Sequence, residues 1–454
     1  MTAVEFTKLG QSAVAPVSAR LAKKPVTLLQ FARSAGRNMF EVIPAETLRE
    51  TYVRGPLNIH YICDPEMITE LLVGQGRSFP KAKFTKDIIG SAVGNGLILS
   101  EGEKWRQQRR RYSPLFAARN LPVLARHFAE TGVEIADSLA EHEGPVDVAQ
   151  IAPASTLTNI SRVIFSGNKK VSSEQIRVGL IKYFEYISDL SLFDLMGLPK
   201  WVPRKNWLRS LAPVTNMRNL ARQVIDQRRA ECRSEPQDFL DFMIEALKTD
   251  FEDEATTVDN LLTFVVAGHE TSANALAWGY YLLALHQDMQ ARVRQEIRSV
   301  RPKGPIEFSD LEAMPLLRAH VKETLRLYPS AAFFARDASA DLEIKGVKIA
   351  NGDALFFPVY SLHRNEKLWD APDHYRPERF LGSALPRGQY IPFGDGPRIC
   401  IGAQYAETEI MVLMASVLRR INFSITESEL PEPVLTFTMR TSGPLILNTE
   451  RVRE

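Results

Sequence analysis

The sequence predicts a mainly α-helical fold with small β-sheets (α+β) in a single domain, and three observations carry that expectation. Helix-spaced apolar positions dominate from about residue 100 to 300, including the longest proline-free helical pattern, Asp259 to Leu285. Strand signals are short and clustered, before residue 65 and after Pro329. No repeat, low-complexity tract or linker-like composition break divides the 454 residues. A hydrophobic fraction of 45% is enough to bury a substantial core.

Taken in order, residues 1–40 read as an arm and a first helix. Alternation at Asn58-Ile59-His60-Tyr61-Ile62 marks a strand within Tyr52 to Cys63, and Pro65 opens a helix to about Val73. Phe79 to Leu99 is mixed and Gly-containing, more like a loop over a cavity than a regular element. The helical region breaks near Gly144-Pro145, Gly167-Asn168 and Gly197 to Pro203. Leu342 to Ile349, broken at Lys345-Gly346, reads as a hairpin, Asn351-Gly352 as the next turn, and Val434 to Leu447 as a last hairpin turning at Gly443-Pro444.

Composition narrows the function classes. A net charge of +2 gives no hint of a nucleic-acid partner. Cys63, Cys232 and Cys400 make no disulfide framework, so a reducing cytoplasm is expected. A membrane span needs roughly 20 mostly apolar residues, and neither that nor a signal peptide is found. A soluble monomer is expected.

The chemistry concentrates in Phe393-Gly394-Asp395-Gly396-Pro397-Arg398-Ile399-Cys400-Ile401-Gly402, just before a helical pattern from about Ala403 to Ile421. A cysteine at a helix start sits in the positive end of the peptide dipoles, which favours thiolate over thiol. The glycines let a flat ligand lie on the backbone. One anionic sulfur on a rigid loop suits one axial bond to a metal held by another chelator. The plainer alternative is a buried cysteine acting as a small hydrophobe.

Three further constellations stand out. In Trp105-Arg106-Gln107-Gln108-Arg109-Arg110-Arg111, Trp105 and Arg109 share one helix face while Arg106 and Arg110 share another. Alone, that is a solvated basic face. Ala267-Gly268-His269-Glu270-Thr271 interrupts the longest helical pattern, which has Thr256-x-x-Asp259 as a capping box. Gly268 costs about 1 kcal/mol against alanine, and Thr271 can bond back to the Ala267 carbonyl. A small-residue packing contact explains Gly268 but not the adjacent acid and hydroxyl. Glu323 and Arg326 are three apart on one helix face that Pro329 ends, and Pro377-Glu378-Arg379-Phe380 follows some fifty residues later.

Phe393 to Gly402 resembles the haem-binding loop of the cytochrome P450 family, with Phe393, two glycines, Arg398, Cys400 and Gly402 in register. The other constellations follow in that family's order, so the resemblance spans about residues 100–402, and it is to the soluble bacterial type. It implies haem b between the long central helix and the cysteine loop, with Cys400 as axial iron ligand. It implies Trp105, Arg109, Arg336 and Arg398 as propionate partners, and Glu323, Arg326 and Arg379 as a buried structural triad. Glu270 and Thr271 are then the proton-relaying pair beside bound O2. Phe264, Ala267, Ala331, Phe333, Phe334, Thr438 and Met439, with Phe84 to Leu97 and Tyr183 to Leu198, are the candidate pocket. The implied activity inserts one oxygen atom from O2 into a C–H bond of a hydrophobic molecule, a fatty acid or a terpenoid- or steroid-like compound. Electrons come from an external ferredoxin-type or flavin-type partner, docked at Arg106, Arg110 and Arg111. A peroxide-driven peroxygenase and a non-enzymatic haem sensor are the alternatives; the Glu270-Thr271 pair argues against the first.

Overall fold

The computed structural model describes residues 16–165, 207–247 and 254–452, apart from 25, 28–33, 35, 36, 57, 77, 78, 84, 87–89, 91, 92, 143, 232–234, 237, 383, 427 and 428, together with 178, 179, 181 and 182. Most of the expected N-terminal arm and first helix, Phe84, the breaks at Gly167-Asn168 and Gly197 to Pro203, and the stretch Tyr183 to Leu198 lie outside the described residues.

Helices carry the fold. They are α1 (Pro65–Thr69), α2 (Gly102–Tyr112), α3 (Leu121–Glu141), α4 (Val148–Phe165), α5 (Trp207–Glu231), α6 (Phe239–Leu247), α7 (Glu254–Leu285), α8 (Gln287–Val300), α9 (Pro315–Leu327), α10 (Val359–Leu362) and α11 (Ala403–Leu418). The central helix is α7. Val258, Leu261, Leu262, Val265, Leu276, Trp278 and Tyr281 are buried around its whole circumference, as in a helix enclosed by protein on all sides. It packs on α4, α9 and α11, and α11 in turn packs on α3. Among the described residues no helix is long and apolar enough to cross a membrane.

The start of α7 differs from the sequence expectation. The helix already runs at Glu254, so Thr256 and Asp259 lie inside it and form no capping box. Asp259 instead accepts from the Asn95 backbone N–H at 2.7 Å and pairs with Arg218 at 2.6 Å, while Asn260 accepts from Leu97 N–H at 2.8 Å. These bonds hold the 93–100 segment against α7. The approach needs Gly96, whose missing Cβ would come within 2.2 Å of the Thr263 hydroxyl.

The strands form small separate sheets. One has the order β1 (Tyr52–Arg54), β2 (Ile59–Ile62), β7 (Ala354–Phe357), β4 (Phe334–Asp337), with β2 parallel to β7 and the other pairs antiparallel. The strand expected at Asn58 to Ile62 is β2, and β1 precedes it in a hairpin that turns where Asn58 takes φ 57°. β5 (Leu342–Ile344) and β6 (Val347–Ile349) pair as expected, with Lys345 and Gly346 at φ 48° and 78°. That double positive φ matches the twist of a two-residue hairpin. The last hairpin is corrected. β9 (Pro433–Leu435) pairs with β10 (Met439–Thr441) around residues 436–438. β11 (Ile446–Arg451) leaves it after Gly443-Pro444 to sit between β3 (Pro145–Asp147) and β8 (Ile421–Ile425).

One ionic cluster fixes the segment that leads to the cysteine loop. Arg326 donates to both Glu323 oxygens, Nε at 2.7 Å and Nη2 at 2.8 Å, and its remaining hydrogens reach the carbonyls of His363, Pro372 and His374. Arg379 adds its Nε to Glu323 at 3.3 Å and holds the Asp370 and Ala371 carbonyls. The Arg376 N–H completes the carboxylate at 2.7 Å. Glu323 and Arg326 are fully buried, so each charge is tolerated only through this pairing. Glu323→Gln should leave Arg326 under-compensated and cost about 3 kcal/mol or more. Thermal unfolding would measure that loss, and an unchanged midpoint would remove the cluster from its structural role.

Candidate active site

Cys400 and the middle of α7 line the same largely apolar cavity of about 420 Å³, within the range that encloses small molecules. Phe393, Gly394, Arg398, Ile399, Cys400 and Gly402 line it from the loop. Phe264, Ala267, Gly268 and Thr271 line it from α7. Ala331, Phe333 and Phe334 contribute from the segment after α9.

The loop is built to present its sulfur. Cys400 N–H donates to the Phe393 carbonyl at 2.8 Å, and Gly394 and Gly396 take φ 75° and 73° in the turn between them. The Cys400 sulfur opens on the cavity; desolvation by the surrounding protein pushes its thiol up, against the Gly402 N–H and the positive charges of Arg109 and Lys81, which favour the thiolate. Dipole and donors are present as expected, but desolvation outweighs them. A metal bound at the sulfur would deprotonate it outright.

The cavity has a cationic rim. Arg109, Arg336, Arg398 and Lys81 all line it, with Trp105 beside them. The Arg398 guanidinium lies 4.4 Å from the Trp105 ring centroid, pairs with Glu101 and donates to the Ser100 carbonyl at 2.7 Å. Arg109 donates to the Ile399 carbonyl at 2.8 Å, tying α2 to the cysteine loop. Lys81 was not anticipated from sequence; it lies across from Arg336 in an isolated antiparallel bridge. Burial, with Arg336 and Arg398 nearby, lowers the Lys81 ammonium to about 7. Burial and Arg398 lower Arg336 to about 10. Among the described residues neither is in an ion pair, although Arg336 is buried and buried charges ordinarily find one.

This donor set fits haem. Two carboxylates would meet the unneutralised cations at the rim, and one cysteine sulfur would supply an axial ligand. Among the described residues no group of three or more His, Cys, Asp and Glu could hold a metal ion unaided, so the iron's other ligands would come from the macrocycle.

In the α7 turn, Thr271 Oγ1 donates back to the Ala267 carbonyl at 2.7 Å, as expected. Glu270 points elsewhere, toward Thr438 and Arg440; burial raises its carboxyl pKa, and those two partners oppose the rise. His269, in the free position of the motif, is buried and shares a hydrogen bond of 2.9 Å with Thr156 on α4. Burial lowers its pKa to about 4, so it links two helices as a neutral ring. A second acid escaped the sequence reading. Glu409 on α11 is fully buried beside Asn159 (2.9 Å) and Ser272, and burial raises it to about 7. No spacing in the sequence joins residues 159, 272 and 409; only packing of three helices does.

Phe334 stacks on Phe357 at 4.9 Å and Phe333 leans on Phe356 at 5.0 Å, so β7 backs both pocket rings. Phe264 joins Tyr112, Phe116 and Phe239 in edge-to-face contacts. Of the expected stretch Phe84 to Leu97, only Thr85 and Leu97 line the cavity among the described residues, and Met439 is a further exception. It is fully buried in the core, and Thr436, Phe437 and Thr438 line the cavity instead, because the chain reverses there before β10 begins.

Comparison with known proteins agrees with this geometry. The sequence model of the family described as Cytochrome P450 matches residues 49–448. The chain is 28% identical to cytochrome P450 4A7 of Oryctolagus cuniculus, covering 86% of this chain and 81% of that protein. It is 29% identical to cytokinin hydroxylase of Arabidopsis thaliana (84% and 76%) and 30% identical to cytochrome P450 3A29 of Sus scrofa (83% and 79%). With a match of that extent on a mainly helical fold that sets one cysteine beneath an acid–threonine turn, the chain belongs to the cytochrome P450 family of haem-thiolate monooxygenases.

Proposed function

We propose that Cys400 is the axial ligand of the haem iron. In this reading Trp105, Arg109, Arg336 and Arg398, joined by Lys81, hold its carboxylates, and Thr271 on the cavity lining, with Glu270 beside it in sequence, manages protons. The observation that carries it is that one cavity is lined by Cys400, by Ala267, Gly268 and Thr271 of α7, and by the cations Lys81, Arg109, Arg336 and Arg398. When bound, haem supplies the activation of O2 that leads to oxygen insertion into a C–H bond of a hydrophobic substrate.

The chain's own contribution is orientation, exclusion of water and proton control. Gly402 N–H donates to the Cys400 sulfur and, with Arg109 and Lys81, stabilises its negative charge. Thr271 spends its hydrogen on the Ala267 carbonyl and keeps its oxygen lone pairs for a proton donor in the cavity. Glu270, raised by burial, exchanges protons closer to neutrality than an exposed glutamate does. Phe333, Phe334 and Ala331 give the substrate side an apolar wall.

An external redox partner, of ferredoxin or flavin type, docks at α2. Arg106 and Arg110 lie on its exposed face and Arg111 is half-buried, while Arg109 on the inner side reaches the cysteine loop. The chain is read as one catalytic domain, monomeric, in a reducing cytoplasm, in keeping with the free thiols of Cys63 and Cys400. A sedimenting dimer or a membrane-bound fraction in cells would overturn that assignment.

Cys400→Ser should abolish the thiolate-type Soret band of the reduced carbon monoxide complex, since serine is a poor, mostly protonated ligand; a retained band would exclude Cys400 as ligand. Thr271→Ala should keep haem and ligand binding while product formed per electron falls about tenfold and peroxide rises. Coupling equal to the wild type would mean that protons arrive by another route. Reversal of charge at Arg110 should slow reduction by an acidic carrier about tenfold at low ionic strength and less at high salt. Reduction indifferent to both the substitution and salt would place the partner elsewhere.

A further inference from the structure

We infer that Glu101 is a positioning residue of the cationic rim, tying Lys81 and Arg398 to the start of α2 and limiting how positive the rim is where haem carboxylates would bind. The inference rests on the assignment of that rim to those carboxylates.

The four rim cations come from separate parts of the chain. Lys81 follows Phe79 and Pro80, Arg109 is on α2, Arg336 is on β4 and Arg398 is in the cysteine loop. Like charges repel, so their convergence on one cavity calls for a counter-charge. Among the described residues the only carboxylate paired with any of the four is that of Glu101. Asp395 also lines the cavity, but it is spent on Arg387 at 3.1 Å. Glu101 Oε2 takes Arg398 Nη2, while Oε1 accepts from the Lys81 backbone N–H at 2.9 Å and lies 3.6 Å from Lys86 Nζ. Arg398 is thereby held over the Trp105 ring, with its Nη1 on the Ser100 carbonyl at 2.7 Å.

Local structure makes this use of Glu101 notable. It stands at the N-cap position of α2, where a side-chain oxygen ordinarily accepts from the first free N–H groups of the helix. It makes no such bond. Its oxygens go instead to a residue 20 positions before it and another 297 positions after it. Lys81 carries the constraint on to β4, since it bridges Arg336 and the neighbouring Pro80 carbonyl accepts from Asp337 N–H at 3.0 Å. Arg109 follows on α2 itself. One carboxylate thus links all four elements of the rim and offsets part of their charge.

Two readouts test this, and neither is turnover. Glu101→Gln keeps the shape and an amide oxygen for the Lys81 N–H, so it removes the charge and leaves that link. In the haem-loaded enzyme its midpoint potential should shift to a more positive value, because a negative charge that favours the ferric state is gone. Glu103→Gln removes an exposed charge paired with Arg106 on the outer face of the same helix, and it should leave the potential where it is. Glu101→Ala removes the link as well. Its transfer of haem to apomyoglobin should run about tenfold faster than in the wild type, the size of a lost hydrogen bond between charged groups. An unmoved potential in Glu101→Gln, an equal shift in Glu103→Gln, or haem transfer at the wild-type rate in Glu101→Ala would overturn the inference. If Glu101→Ala does not fold, the potential of Glu101→Gln decides alone. Arg398→Gln separates this inference from the assignment beneath it. Haem release from Arg398→Gln no faster than from the wild type would sink the rim assignment, whereas faster release there with both Glu101 variants at wild-type values would sink only the role of Glu101.

Discussion

Glu323 sits where no solvent reaches, with the Arg326 guanidinium on both oxygens and Arg379 and the Arg376 N–H sharing one of them. An unpaired carboxylate there would be prohibitive, so α9 and the 363–379 segment can assemble in one arrangement only. Arg326 extends that arrangement to the carbonyls of His363, Pro372 and His374, and its guanidinium lies 5.2 Å from the Trp369 ring. His363 passes the constraint on, accepting from the Ile391 N–H two residues before Phe393. The cysteine loop thereby inherits its position from a buried ionic cluster that touches no substrate.

The cavity shows the opposite use of charge. Arg336 is buried and Lys81 half-buried, and among the described residues neither is in an ion pair, a state that an arriving anion would relieve. In the proposed reading haem carboxylates would meet that need. The sulfur would follow the same logic: desolvation raises the thiol, and metal ligation would offset it.

Much of the site was legible in the chain because its parts are local. The back-bond from Thr271 to Ala267, the inward face of Trp105 and Arg109, and the Cys400 loop each depend on spacings of a few residues. The hairpin at Lys345-Gly346 was legible for the same reason, since turn chemistry is set by two residues. Errors arose where local signals were ambiguous. Thr256 and Asp259 look like a capping box, but a helix that begins earlier turns Asp259 into an anchor for the 93–100 segment. Gly443-Pro444 looks like a hairpin turn, but the strand after it joins a different sheet.

The sequence by itself determined the helical class, the family, the iron-ligating cysteine loop and the acid–threonine turn, because each is written in short-range pattern and residue chemistry. Only the tertiary structure decided that Lys81 joins the cationic rim, that Thr438 rather than Met439 faces the cavity, and that Glu409 meets Ser272 and Asn159. Those contacts join residues more than a hundred positions apart through close packing of elements whose register no local pattern encodes. Burial then sets their protonation, since the same glutamate or lysine behaves differently once water is excluded.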